Sequence, residues 1–301
     1  MRSPALYTES VESRASWRDY LQLCKPRVVL LMLLCAMVGM GLATPELIRL
    51  DLLSATLIGI ALMASSAAAV NHIADAEIDA RMARTKRRPV PTGRVTALQG
   101  LTFSAVCGLA GFALLFAAVN PLTAWLNLAS WVGYGLIYTL YLKRATPQNI
   151  VIGGLFGAAP PLFGWTAVTN SIEPGGLLLV LIIFVWTPPH FWALALDRKE
   201  DYAAADVPML PITHGETTTR WHILGYTVAL LVTSILPFVI GMSGALYLIA
   251  ALLLGGVFLY LAIDMVRNRN PKTPMATFRY SIIYLLLLFI CLLIDHYLLA
   301  A

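Results

Sequence analysis

Long apolar runs alternate with short polar stretches along the whole chain, a pattern that predicts membrane-length helices and no strands. Nine runs fall near residues 28–44, 50–71, 97–119, 122–142, 149–169, 175–196, 221–242, 244–265 and 278–299. Each can cross about 30 Å of hydrocarbon when tilted or partly interfacial. Residues 1–20 are polar, and the expectation there is a flexible or interfacial segment. Lys25-Pro26-Arg27 marks the start of the first span. The pattern therefore predicts an all-α polytopic membrane protein, about nine transmembrane helices in one domain over residues 1–301.

Composition agrees. The chain is 59% hydrophobic and 12% charged, with a mean hydropathy of +0.76. Soluble globular proteins carry about twice that charged share. The net charge of +5 does not point to nucleic acid, because the basic residues sit in short loops between spans. With the N-terminus placed in the cytoplasm, 20 of the 21 Lys and Arg residues face inward and only Arg49 lies outside. That asymmetry predicts a multi-pass protein of the cell (inner) membrane with a cytoplasmic N-terminus. Glu9, Glu12 and Asp19 argue against an acid-poor transit peptide. Cys24, Cys35, Cys107 and Cys291 form no Cys-x-x-Cys pair and suggest neither disulfides nor a metal site.

Two polar stretches carry the candidate chemistry. In the first, Asn71, Asp75 and Asp79 are spaced i, i+4, i+8, so each step turns by only about 40° and all three share one helix face. Glu77 points elsewhere. Oxygen ligands on one face suit Mg²⁺. Arg81, Arg84, Lys86, Arg87, Arg88 and Arg94 follow and suit a phosphate group. A helix end with solvated carboxylates and a basic loop is an equally good reading of this stretch alone. The second stretch places Asp197 and Asp201 again at i, i+4, after the sixth run. Four spans separate the two motifs, so both fall on the same side of the membrane. Each closes the second helix of a four-helix group, which suggests a weak internal repeat with a site between the halves. Transporters also bind ligands at such an interface, but would need charges deeper in the spans.

Further candidates lie inside the spans. Asn127, Trp131, Tyr134, Tyr138 and Tyr141 share one face of an α-helix, which fits an interfacial aromatic belt, helix packing or a cavity wall. Gly153 and Gly157 form a small-xxx-small pair, and Pro160 with Pro161 should kink the fifth span. Lys143 and Arg144 are candidates for a diphosphate or for membrane anchoring. His190, about two turns before Asp197, is a candidate for function or for a structural hydrogen bond. His72 and His214 flank the acidic motifs, and the five histidines form no metal cluster by spacing.

Together these stretches resemble the UbiA superfamily of intramembrane prenyltransferases. The similarity rests on Asn71-x3-Asp75-x3-Asp79 with Met82-x-Arg84-Thr85-x-x-Arg88-Pro89. It continues through Thr187-Pro188-Pro189-His190-Phe191-Trp192-Ala193-Leu194-Ala195 and Asp201-Tyr202-x-x-Ala205-x-x-Pro208-Met209-Leu210-Pro211. Residues 138–165, with Asn149, fit the same pattern, and the similarity runs from about Lys25 to the last helix. It is strongest with the branch that farnesylates protohaem IX. The resemblance implies a bundle with a central cavity open to the cytoplasmic side, and farnesyl diphosphate, protohaem IX and the lipid bilayer as partners. It implies Mg²⁺ held by Asp75, Asp79 and Asp201, with Asn71 and Asp197 in support. It also implies substrate contacts from Asn71, Arg84, Arg88, Tyr138, Lys143, Arg144, Asn149 and His190. A downstream haem A synthase or terminal oxidase assembly would take the product. Asp197 stands where that branch varies, and Asp206 where it often has glycine. A prenyltransferase with a phenolic or quinoid acceptor such as 4-hydroxybenzoate shares the metal site, but not residues 187–196 and 208–211.

Overall fold

A computed structural model describes residues 15–268 and 270–300, with the side chains of Arg144, Leu299 and Ala300 outside the described part. The helices in chain order begin with α1 (Trp17–Leu23), α2 (Pro26–Leu42), α3 (Leu50–Ala74), α4 (Ala76–Arg81) and α5 (Ala97–Ala118). Next come α6 (Pro121–Trp131), a π-helix (Val132–Leu142), α7 (Lys143–Ala145), α8 (Asn149–Gly157) and α9 (Pro160–Thr169). The rest are α10 (Pro174–Asp197), α11 (Lys199–Ala204), α12 (Leu210–Thr213), α13 (Glu216–Val239), α14 (Ala245–Arg267) and α15 (Thr273–Ala300). Local chemistry sets many of these ends. Thr96 and Gln99 form a capping box on α5, Asn120 caps α6, and Pro26, Pro160 and Pro174 stand in first turns.

The fold is helical and polytopic, but nine regular spans are not found among the described residues. Seven helices are long and apolar enough to cross a membrane, or eight if α1 and α2, bent by 53°, count as one. The expected fourth span is the one missing from that count. It is α-helical to Trp131 and then continues as a π-helix.

Outward faces stay apolar, as in Leu109 and Phe116 of α5, Leu253 and Val257 of α14, and Ile283 and Ile294 of α15. Inside, α2 and α9 meet backbone to backbone. A Cβ on Gly164 would fall 1.8 Å from the Ala36 carbonyl oxygen, and one on Gly39 2.0 Å from that of Pro161. These glycines make the close approach expected of Gly153 and Gly157. Gly157 has open space beside it, and Gly153 instead admits the ring of Tyr138. The fifth span breaks at Ala158–Ala159 before the two prolines, as their chemistry requires.

The motif-bearing helices each pack on the next long one, α3 on α5 and α10 on α13. Beyond their ends, Ile78 and Met82 from the first loop join Trp192, Ala205, Val207, Met209 and Leu210 in one buried cluster. Arg81 also pairs with Asp206 at 3.2 Å. Both acidic loops therefore lie at the same end of the bundle. Arg94 pairs with Asp19 at 3.1 Å and ties α1 to the first loop.

Gly164→Ala should destabilise the protein by about 1–3 kcal/mol, because a methyl group there forces two backbones apart. Gly157→Ala is the matched control and should leave stability unchanged or slightly raised. Thermal unfolding in detergent micelles checks both.

Candidate active site

The hydrogen bonds between Asn71, Asp75 and Asp79 explain why the three residues stay together although α3 ends at Ala74. The Asp75 amide donates to the Asn71 carbonyl at 3.0 Å, and the Asp79 amide donates to the Asp75 carbonyl at 2.7 Å. The i, i+4 register thus runs through the break. Asn71, Asp75 and Asp79 are 4%, 2% and 3% exposed, while Glu77 is exposed, so the one-face spacing is what the backbone forms. Asn71 Nδ2 donates to Asp75 Oδ2 at 2.9 Å.

Two buried carboxylates need compensation, and a cation from another segment pairs with each. Lys143 Nζ lies 2.6 Å from Asp75 Oδ2, and an Arg88 guanidinium nitrogen lies 2.7 Å from Asp79 Oδ2. Lys25 Nζ donates to Asn71 Oδ1. The Lys25 backbone is left-handed, with φ 50°, a conformation unusual for a residue other than glycine. The sequence treats Lys25 only as a span marker; its one visible signal is a lysine set just before Pro26 at the site's end of the bundle. Arg84 is exposed, and the side chain of Arg144 lies outside the described residues.

Several buried polar atoms here have no partner among the described residues. They are Asp75 Oδ1, Asn149 Oδ1 and both ring nitrogens of His72. Asn149 Nδ2 is used, donating to the Thr146 carbonyl at 2.8 Å. In the sequence His72 flanks the motif without a spacing that marks it.

The π-helix changes the expected aromatic stripe. Thr139 Oγ1 donates five residues back to the Tyr134 carbonyl at 2.7 Å and lies 3.4 Å from Asn71 Nδ2. With about 4.4 residues per turn, a π-helix keeps residues four apart roughly aligned but turns residues seven apart to opposite faces. Tyr134 and Tyr138 stack at 5.3 Å, while Tyr141 is 68% exposed. Trp131 donates to Ser66 and Asn127 to the Thr123 carbonyl. The stripe is therefore split into packing residues, a stacked tyrosine pair and an outward tyrosine.

In the second motif, Asp197 ends α10 at the exposed side and pairs with Arg198 at 3.3 Å. Asp201 is half-buried and takes part in no ion pair among the described residues. Next to it, burial and the Asp201 charge push the Tyr202 hydroxyl up, opposed by Arg84. Asp206 has φ 54°, a conformation that favours glycine, and its carboxylate reaches Arg81. Among the described residues, no three His, Cys, Asp or Glu side chains are gathered as a ready metal site. His190 Nδ1 makes a hydrogen bond of 2.6 Å with Ser281 Oγ.

Residues 32–293 match the UbiA prenyltransferase family. A protein of Hahella chejuensis named protoheme IX farnesyltransferase is 58% identical over 96% of this chain and 97% of its own. One of Pseudomonas fluorescens Pf0-1, named protoheme IX farnesyltransferase 1, is 61% identical over 95% and 96%. Among solved structures, a digeranylgeranylglyceryl phosphate synthase is similar with a TM-score of 0.77 at 19% identity, covering 93% of this chain and 98% of that one. A UbiA homologue from Archaeoglobus fulgidus bound to DMAPP and Mg²⁺ gives 0.64 at 15% identity, covering 91% and 99%. The chain belongs to the UbiA prenyltransferase family. Within that family, several relatives at 56–61% identity carry the name protoheme IX farnesyltransferase.

The structure separates two basic residues that the sequence groups together. Lys25→Gln should raise the KM for a prenyl diphosphate about tenfold, roughly 1.4 kcal/mol of binding. Arg27→Gln, at an exposed position, should leave it unchanged. Steady-state kinetics on both variants in membranes checks this.

Proposed function

We propose that this protein transfers the farnesyl group of farnesyl diphosphate to a vinyl group of protohaem IX. The allylic C–O bond breaks, a C–C bond forms at one vinyl carbon, and water adds at the other. The products are haem O, a hydroxyethylfarnesyl haem, and diphosphate, with the proton from water released. The donor half rests on one observation: a buried row of Asn71, Asp75 and Asp79, neutralised by Lys143 and Arg88, at the head of an apolar bundle. The acceptor half is supported by the relatives' shared name.

The side chains fit Mg²⁺. The donors are hard oxygens, and Asp75 Oδ1 is buried without a partner. Mg²⁺ characteristically binds through one or two carboxylates plus substrate phosphates, so a preformed cluster of three is not required. Asp75 and Asp79 would hold it with Asn71 on one side, and Asp201 with support from Asp197 on the other. When bound, the ion neutralises charge developing on the leaving diphosphate. Lys143 and Arg88, with Lys25, Arg84 and Arg144, would offer their cationic groups to the diphosphate oxygens. Tyr138, with Tyr134, presents ring faces that stabilise an allylic cation and exclude water from it. Asn149 adds a contact to the substrates at the diphosphate end, and His190 contacts the acceptor. The whole chain, 1–301, works as one domain in the cell inner membrane with its N-terminus in the cytoplasm, supported by the basic-residue asymmetry. A haem A synthase or terminal oxidase assembly consumes the product.

Membranes containing the protein should convert haem and farnesyl diphosphate to haem O, identified by mass. Conversion of 4-hydroxybenzoate instead would overturn the acceptor. Asp75→Asn, Asp79→Asn and Asp201→Asn should each lower turnover about a hundredfold, roughly 2.7 kcal/mol of transition-state stabilisation. Glu77→Gln should leave it intact. Equal damage from Glu77→Gln would contradict the one-face arrangement.

A further inference from the structure

His190 is held in a way that its packing alone does not explain. Its ring is 7% exposed and sandwiched between two others. Trp186 lies one turn earlier at 4.2 Å and 18°, and Phe278 of α15 at 4.6 Å and 27°. The edge contact with Phe191 at 4.9 Å adds a third aromatic wall. Phe191 itself is 41% exposed on the outer side.

The hydrogen bonds fix the tautomer. Ser281 Oγ donates its only proton to the Phe278 carbonyl at 2.7 Å. Ser281 Oγ can therefore only accept from His190, whose Nδ1 lies 2.6 Å away. Nδ1 must carry the ring proton, and Nε2 is left with a bare lone pair. No described residue makes a hydrogen bond to Nε2. Nε2 is not sealed inside the protein, so an approaching group can reach this lone pair. A ring pinned by stacking, its Nδ1–H given to a fixed acceptor and its Nε2 free, is the arrangement that prepares a histidine to ligate a metal.

We infer that His190 Nε2 is an axial ligand to the iron of a metalloporphyrin bound beside α10 and α15. The inference rests on the acceptor proposed above and adds how that acceptor is held. A flat apolar macrocycle suits the aromatic walls that surround the imidazole edge. His190 precedes Asp197 by seven residues, about 10 Å along the helix. The iron is thereby kept away from the acidic motifs while the porphyrin rim extends towards them. Ser281 is the positioning residue, because it sets both the tautomer and the ring orientation. Trp186 donates to the Ser281 carbonyl at 2.8 Å and locks the same pair of helices.

The test is a titration of ferric protohaem into the purified protein in lipid nanodiscs, read by the Soret band. Metal-free protoporphyrin IX is the comparison ligand. The protein should give a shifted Soret band and bind haem at least tenfold tighter than the metal-free porphyrin. His190→Asn keeps an amide able to donate to Ser281, and His190→Gly removes the ring. Both should lose the shift and the preference for iron, and added imidazole should restore the shift in His190→Gly. Retained farnesyl diphosphate binding shows that the variants are folded. If they are not, Ser281→Ala decides, and it should weaken the preference for iron. An unchanged Soret band and an unchanged preference in these variants would overturn the ligation and leave the proposed reaction standing. A wild-type protein that binds farnesyl diphosphate but no haem would overturn the acceptor itself, and the ligation with it.

Discussion

Two carboxylates buried at the polar end of an apolar bundle impose the conditions that the surrounding structure meets. Removing one charge from water costs several kcal/mol unless a counter-charge lies against it. Asp75 and Asp79 are 2% and 3% exposed, and each has such a partner within 2.7 Å. The partners come from separate segments of the chain. Lys143 is delivered by the end of the π-helix, and Arg88 by the loop after α4. Lys25 arrives through a left-handed backbone at the start of α2 and engages Asn71. Three segments thus converge on one helix face because that face cannot be left alone. The same pairing keeps cations beside the place where a diphosphate would bring more negative charge.

Convergence requires unusual backbone. The wider turn of the π-helix sets Thr139 against Asn71 and stacks Tyr134 on Tyr138. Gly153 makes room for the Tyr138 ring, and Gly39 with Gly164 lets α2 and α9 touch. The second acidic loop is brought in by hydrophobic burial around Trp192 and Met209. The exposed pair of Arg81 with Asp206 adds little energy but fixes which residues face each other.

The spans and the polar face were legible in the sequence for a simple reason. Apolar length and i, i+4 spacing are properties of single helices, and a helix cannot bury Asn71, Asp75 and Asp79 without leaving Glu77 outside. What the sequence concealed depends on contacts between segments. Trp131, Tyr134, Tyr138 and Tyr141 fit an α-helix as well as they fit nothing else, so the π-helix was invisible until its neighbours were in place. Lys25 satisfied the positive-inside pattern, which hid its reach to Asn71. His72 carried no spacing signal, although both its ring nitrogens are buried without partners. For Asp206 the departure from glycine was visible, but its left-handed backbone and its tie to Arg81 were not.

A double-mutant cycle on Asp75 and Lys143, read as thermal stability in detergent, tests the dependence on buried charge pairing most directly. Lys143→Gln alone leaves Asp75 buried without its counter-charge and should cost about 3–5 kcal/mol. Adding Asp75→Asn removes the stranded charge and should restore at least half of that loss. If the two losses simply add, the residues act independently, and charge compensation is not what assembles this end of the bundle.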